Sequence, residues 1–169
     1  NGGWGQKFAL WIFEDAPQPY GSWGNGAAMR IAPVGMLAES EEQAIEWSDT
    51  VTNITHNHPD AITSARAVAL AIHWARRQVS ASEIARRIQE RFGYDLSRTP
   101  DQIRPTYVRT EKAADSVPQA MICALQASSF EDAIRNAVSI GGDSDTIAAI
   151  AGGIAEALFG LPDDIAAQG

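Results

Sequence analysis

In the stretch Gly141-Gly142-Asp143-Ser144-Asp145-Thr146, two carboxylates alternate and a hydroxyl follows, just ahead of a long apolar run. In an extended loop Asp143 and Asp145 point the same way, and Thr146 adds a third hard oxygen where a helix begins. Such a set suits magnesium, manganese or calcium. The same residue types also cap helices, because they accept orphan N–H bonds and complement the helix dipole. Capping needs only one of them, and the stretch lacks the glycine and distal glutamate of a calcium-binding hand. On these residues alone, both readings stay open.

A second candidate is the glycine-rich loop Gly21-Ser22-Trp23-Gly24-Asn25-Gly26, which runs into Ala27-Ala28-Met29-Arg30. Glycines let a backbone approach a ligand, and the first N–H groups of a following helix point at an anion. The alternative is a tight connection with Asn25 as a cap. Trp23, an aromatic flanked by glycines, can face a base or sugar. A third cluster, Thr55-His56-Asn57-His58-Pro59-Asp60, joins two helices. Its i, i+2 histidines, with no cysteine nearby, are a weak zinc pattern. Structural hydrogen bonding, or donation by one histidine to a ligand, fits better.

The elements that must position these groups are helical. Ile147, Ile150, Ile154 and Leu158 form one stripe after Thr146, flanked by Gly152 and Gly153, which suggest a close neighbouring backbone. Ser40-x-x-Gln43, Ser80-x-x-Glu83 and Ser116-x-x-Gln119 read as capping boxes, and Ser129 opens another helix. An alanine-rich helix spans about Pro59 to Gln78. His73 is an ordinary histidine at its edge, and Phe8 and Trp11, with Trp4, belong to a short helix whose aromatics are expected in the core. The segment from Tyr94 to Ser116 reads as a long surface connection with at most one helical turn, around Asp101 to Arg104. With no strand pattern, the fold class is all-α, a compact globule of packed helices in a single domain over 1–169.

Composition narrows the function classes. The chain has 169 residues, 45% of them hydrophobic, and 21 acidic against 13 basic residues give a formal charge of −8. That balance disfavours a phosphate-tracking nucleic-acid surface, so an anionic ligand needs local compensation. Cys123 is the single cysteine and rules out a disulfide framework within the chain. A reduced thiol in a cytoplasmic protein is the expectation. No apolar run reaches the length of a membrane span.

Four motifs in order, Gly21 to Arg30, Thr55-His56-Asn57-His58-Pro59, Ser116-Val117-Pro118-Gln119-Ala120 and Gly141 to Ala148, resemble the ADP-ribosylglycohydrolase family, which includes the dinitrogenase reductase-activating glycohydrolase. The resemblance implies an all-helical enzyme. It implies a two-magnesium centre that cleaves the glycosidic bond between ADP-ribose and a protein side chain or small acceptor. Carried onto this chain, it implies Asp143 and Asp145 as catalytic residues and Asp143, Asp145 and Thr146 as magnesium ligands. Ser22, Trp23, Gly24, Asn25 and His56 become substrate-binding residues, while Arg30 is scaffold and His58 stays structural.

The family's upstream Thr-Asp-Asp metal motif has no counterpart here, and Glu14-Asp15 is not a substitute. The expectation is therefore a chain resembling the larger, C-terminal part of the family fold. Half the metal ligands would be lacking, and a complementing N-terminal segment or self-association would cover the apolar face near Trp4, Phe8 and Trp11. Beside a magnesium-dependent hydrolase, the competing readings are a catalytically weak ADP-ribose-binding module and a helical interaction module. The retained Asp143, Asp145 and His56 speak against the last.

Overall fold

The computed structural model describes residues 5–167. Among them the chain forms eleven helices and no strand: α1 (Gln6–Trp11), α2 (Gly26–Met29), α3 (Ala32–Leu37), α4 (Glu41–Thr52), α5 (Pro59–Arg76), α6 (Ala81–Phe92), α7 (Pro100–Ile103), α8 (Ala113–Leu125), α9 (Phe130–Ser139), α10 (Ser144–Phe159) and α11 (Asp163–Ala166). The all-α expectation holds. One isolated antiparallel bridge pairs Gly24 with Lys112.

The frame is α5. Its alanines let helices come close, and Ala61, Ala65, Ala67, Ala69, Ala71 and Ala75 are all buried, with Val68, Leu70 and Ile72 filling the remaining space. Helices α2, α3, α4, α6, α8 and α10 all pack on it. Helix α10 buries Ile147, Ile150 and Ile154 against α5, α8 and α9, as its apolar stripe requires. Three serines begin helices in the expected way: Ser40, Ser80 and Ser129 accept from the backbone N–H groups of Gln43, Glu83 and Asp132. A full reciprocal capping box forms at Thr99 and Gln102, opening the single turn expected in that region.

Four sequence expectations are corrected. Helix α8 starts at Ala113, so Ser116 is interior rather than a cap, and its hydroxyl donates back to the Lys112 carbonyl at 2.8 Å. Helix α1 buries no residue. Phe8 and Trp11 stack on each other at 5.7 Å, and Trp11 meets Tyr20 edge-on, so these rings make a small surface cluster instead of core. Leu10 and Phe13 stay 66% and 83% exposed, and Trp4 lies outside the described residues. The segment after Tyr94 is anchored by buried Leu96, Pro100, Ile103 and Ala113, because its apolar residues, though too sparse for periodicity, pack against the core. Finally, the neighbours of Gly152 and Gly153 are side chains, not backbone: a Cβ would come within 3.1 Å of Ile134 and 3.0 Å of Ala32 respectively.

The tightest approach is at Gly35 on α3. A Cβ there would stand 2.6 Å from the Ala69 carbonyl oxygen and 2.7 Å from the Ile72 Cβ, both on α5. Neither neighbour is a flexible end that can swing away. Gly35→Ala should therefore lower stability by about 2 kcal/mol or more, despite the gain in helix propensity. The urea midpoint measures this, and an unchanged or raised midpoint would contradict the α3–α5 packing.

Candidate functional site

The site is assembled where the loop before α2, the segment before α8, the α4–α5 junction and the start of α10 meet. Residue Asn25 stands at the N-cap position of α2 but makes no capping bond. Its side-chain amide instead donates to Asp143 Oδ2 at 2.8 Å and to Ser116 Oγ at 3.2 Å. Residue Asp143 occupies the N-cap position of α10, again without a side-chain capping bond. The capping alternative therefore fails for both residues, and their polar groups face each other across the cleft. Since Ser116 spends its hydroxyl hydrogen on Lys112, its oxygen is free to accept from Asn25.

Backbone bonds hold the glycine-rich loop in place. The Asn25 N–H donates to the Glu111 carbonyl, the Ala113 N–H to the Trp23 carbonyl, and the Ser22 N–H to the Thr55 carbonyl. Ser22 Oγ accepts from the Gly24 N–H at 3.3 Å, and the Gly21 N–H donates to Asn57 Oδ1 at 2.7 Å. Trp23 is 43% exposed, with its ring available to a ligand. His56 is buried beside the loop, with Nε2 3.7 Å from the point where a Cβ on Gly24 would stand. His58 caps α5 by accepting from the Asp60 N–H at 3.2 Å, in keeping with its structural reading.

On the α10 side, Gly142 adopts φ +73°, and a Cβ there would meet Tyr107 at 2.5 Å, so both handedness and space require glycine. Among the described residues the buried Tyr107 hydroxyl has no hydrogen-bond partner. Burial, followed by the negative charge of Asp143, pushes it up to about 12. Thr146 is buried and donates toward Met29 Sδ at 3.6 Å, while Asp145 is exposed. The structure thus joins Asp143 directly to Asn25 and sets Thr146 against α2, but among the described residues it makes no such link to Asp145.

Sequence reasoning passed over several residues here. Arg109 Nη2 stands 3.9 Å from Asp143 Oδ1 and 3.6 Å from Glu111 Oε1, a cation beside an acidic cleft. Ser116, Tyr107 and Arg109 come from the stretch read as a connection, and only Ser116, within a quoted motif, carried a signal. Arg30, taken as scaffold, donates to Thr55 Oγ1 at 3.0 Å and approaches His56 Nδ1 at 3.4 Å.

The donor chemistry of Asp143, Asp145 and Thr146 fits a hard cation. Thr146 gives its hydrogen to sulfur and keeps its lone pairs, and the Asp143 carboxylate is not consumed by capping. Their number falls short of a full coordination sphere, since among the described residues no group of three or more His, Cys, Asp or Glu side chains comes together.

Burial, and then the charge of Arg30, lowers the His56 pKa from 6.5 to about 4. Between those values the unfolded chain binds a proton that the folded one refuses, so stability is complete above pH 6.5 and falls as pH drops toward 4. The loss is on the order of 3 kcal/mol. His73, lowered chiefly by its burial, acts in the same sense. Urea midpoints across pH 4 to 6.5 should therefore slope less steeply in His56→Gln than in the parent. Equal slopes would mean that His56 charges freely in the folded protein.

Comparison with known proteins supplies a frame for this geometry. The family model described as ADP-ribosylglycohydrolase matches residues 4–168. The ADP-ribosylarginine hydrolase Tri1 of Pseudomonas putida (strain GB-1) is 30% identical over 149 residues, covering 82% of this chain and 39% of the relative. The ADP-ribosylhydrolase ARH3 of Mus musculus is 27% identical, covering 83% and 50%. The ADP-ribosyl-dinitrogen reductase glycohydrolase of Rhodospirillum rubrum is 29% identical, covering 88% and 50%. A solved structure titled ADP-ribosylglycohydrolase-related protein complex superposes with a TM-score of 0.72 over 92% of this chain and 58% of that one; at 21% identity the likeness is one of fold. The chain spans about half the length of the curated relatives it matches.

Proposed function

The chain belongs to the ADP-ribosylglycohydrolase family, and from that premise we propose that its cleft binds ADP-ribose and serves magnesium-dependent hydrolysis of the glycosidic bond joining ADP-ribose to a protein side chain or small acceptor. The observation that carries this reading is the Asn25 amide bridging Asp143 and Ser116. It unites the glycine-rich loop with the acidic start of α10 in one cleft. The relatives named for hydrolysis of ADP-ribosylarginine and of ADP-ribosyl-dinitrogen reductase support the substrate class.

In this reading the loop from Ser22 to Asn25 lies along the diphosphate and the neighbouring sugar, and Trp23 covers a ring. Uncharged His56 donates an N–H to a ligand oxygen. Hydrolysis proceeds through an oxocarbenium-like state, which Asp143 and Asp145 stabilise by their charge. The Asn25 amide holds one Asp143 oxygen in place, so the carboxylate need not reorganise as positive charge develops. Asp143, Asp145 and Thr146 are the residues that would hold magnesium. When bound, the ion supplies a grip on ribose hydroxyls and a more acidic water.

A second reading, ADP-ribose binding with little turnover, is favoured because, among the described residues, no three His, Cys, Asp or Glu side chains come together to hold a metal ion. It shares the binding step and differs in the chemistry. Calorimetry with ADP-ribose, with and without magnesium, should give a binding heat on the folded chain. Asp143→Asn and Asp145→Asn should each weaken magnesium binding at least about tenfold. Release of ADP-ribose from a modified substrate, abolished by chelation, supports the hydrolase. Binding without release supports the second reading, and no binding in either condition overturns both.

A further inference from the structure

The two nitrogens of His56 meet different surroundings. Nδ1 lies 2.7 Å from Thr55 Oγ1 and 3.4 Å from Arg30 Nη2. The same arginine nitrogen donates to Thr55 Oγ1 at 3.0 Å. A guanidinium only donates, so it disfavours a hydrogen on Nδ1 at this range. Thr55, accepting from Arg30, has its own hydroxyl hydrogen to give to Nδ1. The Tyr20 side chain also bonds to Thr55, but Arg30 opposes an Nδ1–H whichever way the Thr55 hydroxyl turns. On the far edge, Nε2 is 3.3 Å from where a Cβ on Gly26 would stand and 3.7 Å from one on Gly24.

We infer that Arg30 and Thr55 are positioning residues that hold His56 as the neutral tautomer with its hydrogen on Nε2, so that the ring serves the Gly24–Gly26 loop as a donor only. Three polar side chains in series thus set the sense of one hydrogen bond. Burial and the nearby Arg30 charge also resist protonation, which keeps the ring in this form at neutral pH. The ligand group that meets His56 is therefore an acceptor: a phosphate, carbonyl or ribose oxygen. Its identification as part of ADP-ribose rests on the function proposed above, whereas the tautomer does not.

Nitrogen-15 NMR of the histidine rings in the ligand-free chain tests this, with the His56 signals assigned by their loss in His56→Gln. The expected pattern is a protonated Nε2 and an unprotonated Nδ1, unchanged from pH 8 down to about pH 5. Arg30→Met should populate the other tautomer, because the Thr55 hydroxyl oxygen is then free to accept from Nδ1–H, and Arg30→Lys, which keeps a donor-only cation, should restore the parent pattern. Should Arg30→Met fail to fold, Arg30→Gln, whose amide oxygen can accept from Nδ1–H, reads the same coupling. Affinity for ADP-ribose, measured separately, should fall about tenfold in Arg30→Met and recover in Arg30→Lys, the size of one lost hydrogen bond. An Nδ1–H ring in the parent, or a pattern indifferent to both Arg30→Met and Arg30→Gln, overturns the inference. A parent with the expected tautomer that binds no ADP-ribose leaves the inference standing and overturns the proposed function alone.

Discussion

The side-chain amide of Asn25 is the constraint on which the cleft depends. Its two hydrogens reach Ser116 and Asp143, 91 and 118 residues further along the chain. Removing it would leave the acidic end of α10 and the interior serine of α8 without a common partner. The loop that carries Asn25 would then be tied down by backbone bonds to Glu111, Ala113 and Thr55 and by the Asn57 side chain. A neutral donor suits this role, because it holds a carboxylate in place without cancelling its charge. Asp143 therefore remains negative toward whatever enters the cleft, with Arg109 as a nearby exposed counter-charge.

That bond is only as well placed as the helices behind it. Gly35 on α3 packs against Ala69 and Ile72 of α5, and Gly153 on α10 packs against Ala32 of α3 and Ile72, so packing as well as the Asn25–Asp143 bond fixes the starts of α2 and α10 relative to each other. Close approach also explains why polar groups can be buried here. Ser64 shares a hydrogen bond with Tyr94, while Ser116 is satisfied within its own helix. The unpartnered Tyr107 hydroxyl under Gly142 is an exception at the edge of the cleft, and there burial and the acidic neighbour both keep the phenol protonated.

Electrostatically the cleft holds two environments. Around Asp143 and Asp145 it is acidic and partly open, suited to cations and to developing positive charge. Around His56 it is enclosed, and that burial, with the nearby Arg30 charge second, keeps the imidazole neutral. A ligand with an anionic portion and a sugar would find donors on one side and carboxylates on the other, and the chain's net charge of −8 makes this local division necessary.

The amino-acid sequence by itself determined the helices, since apolar spacing and N-capping are local: α4, α5, α6, α9 and α10 lie close to where periodicity and Ser40, Ser80, Ser129 and Pro59 put them. It also singled out Asp143, Asp145, Thr146, Asn25 and His56 as the candidates for chemistry, because they stand in motifs legible without coordinates. What local pattern could not decide is where a polar side chain spends its hydrogen bonds. Asn25 and Asp143 both sit at N-cap positions, yet neither caps, because each finds a partner more than a hundred residues away. Tertiary packing likewise made Ser116 an interior acceptor and drew Arg109 to the acidic cleft. It also turned Arg30 and Thr55 toward one nitrogen of His56. These outcomes depend on distances between segments remote in the chain, and such distances exist only once α5 and α10 have packed.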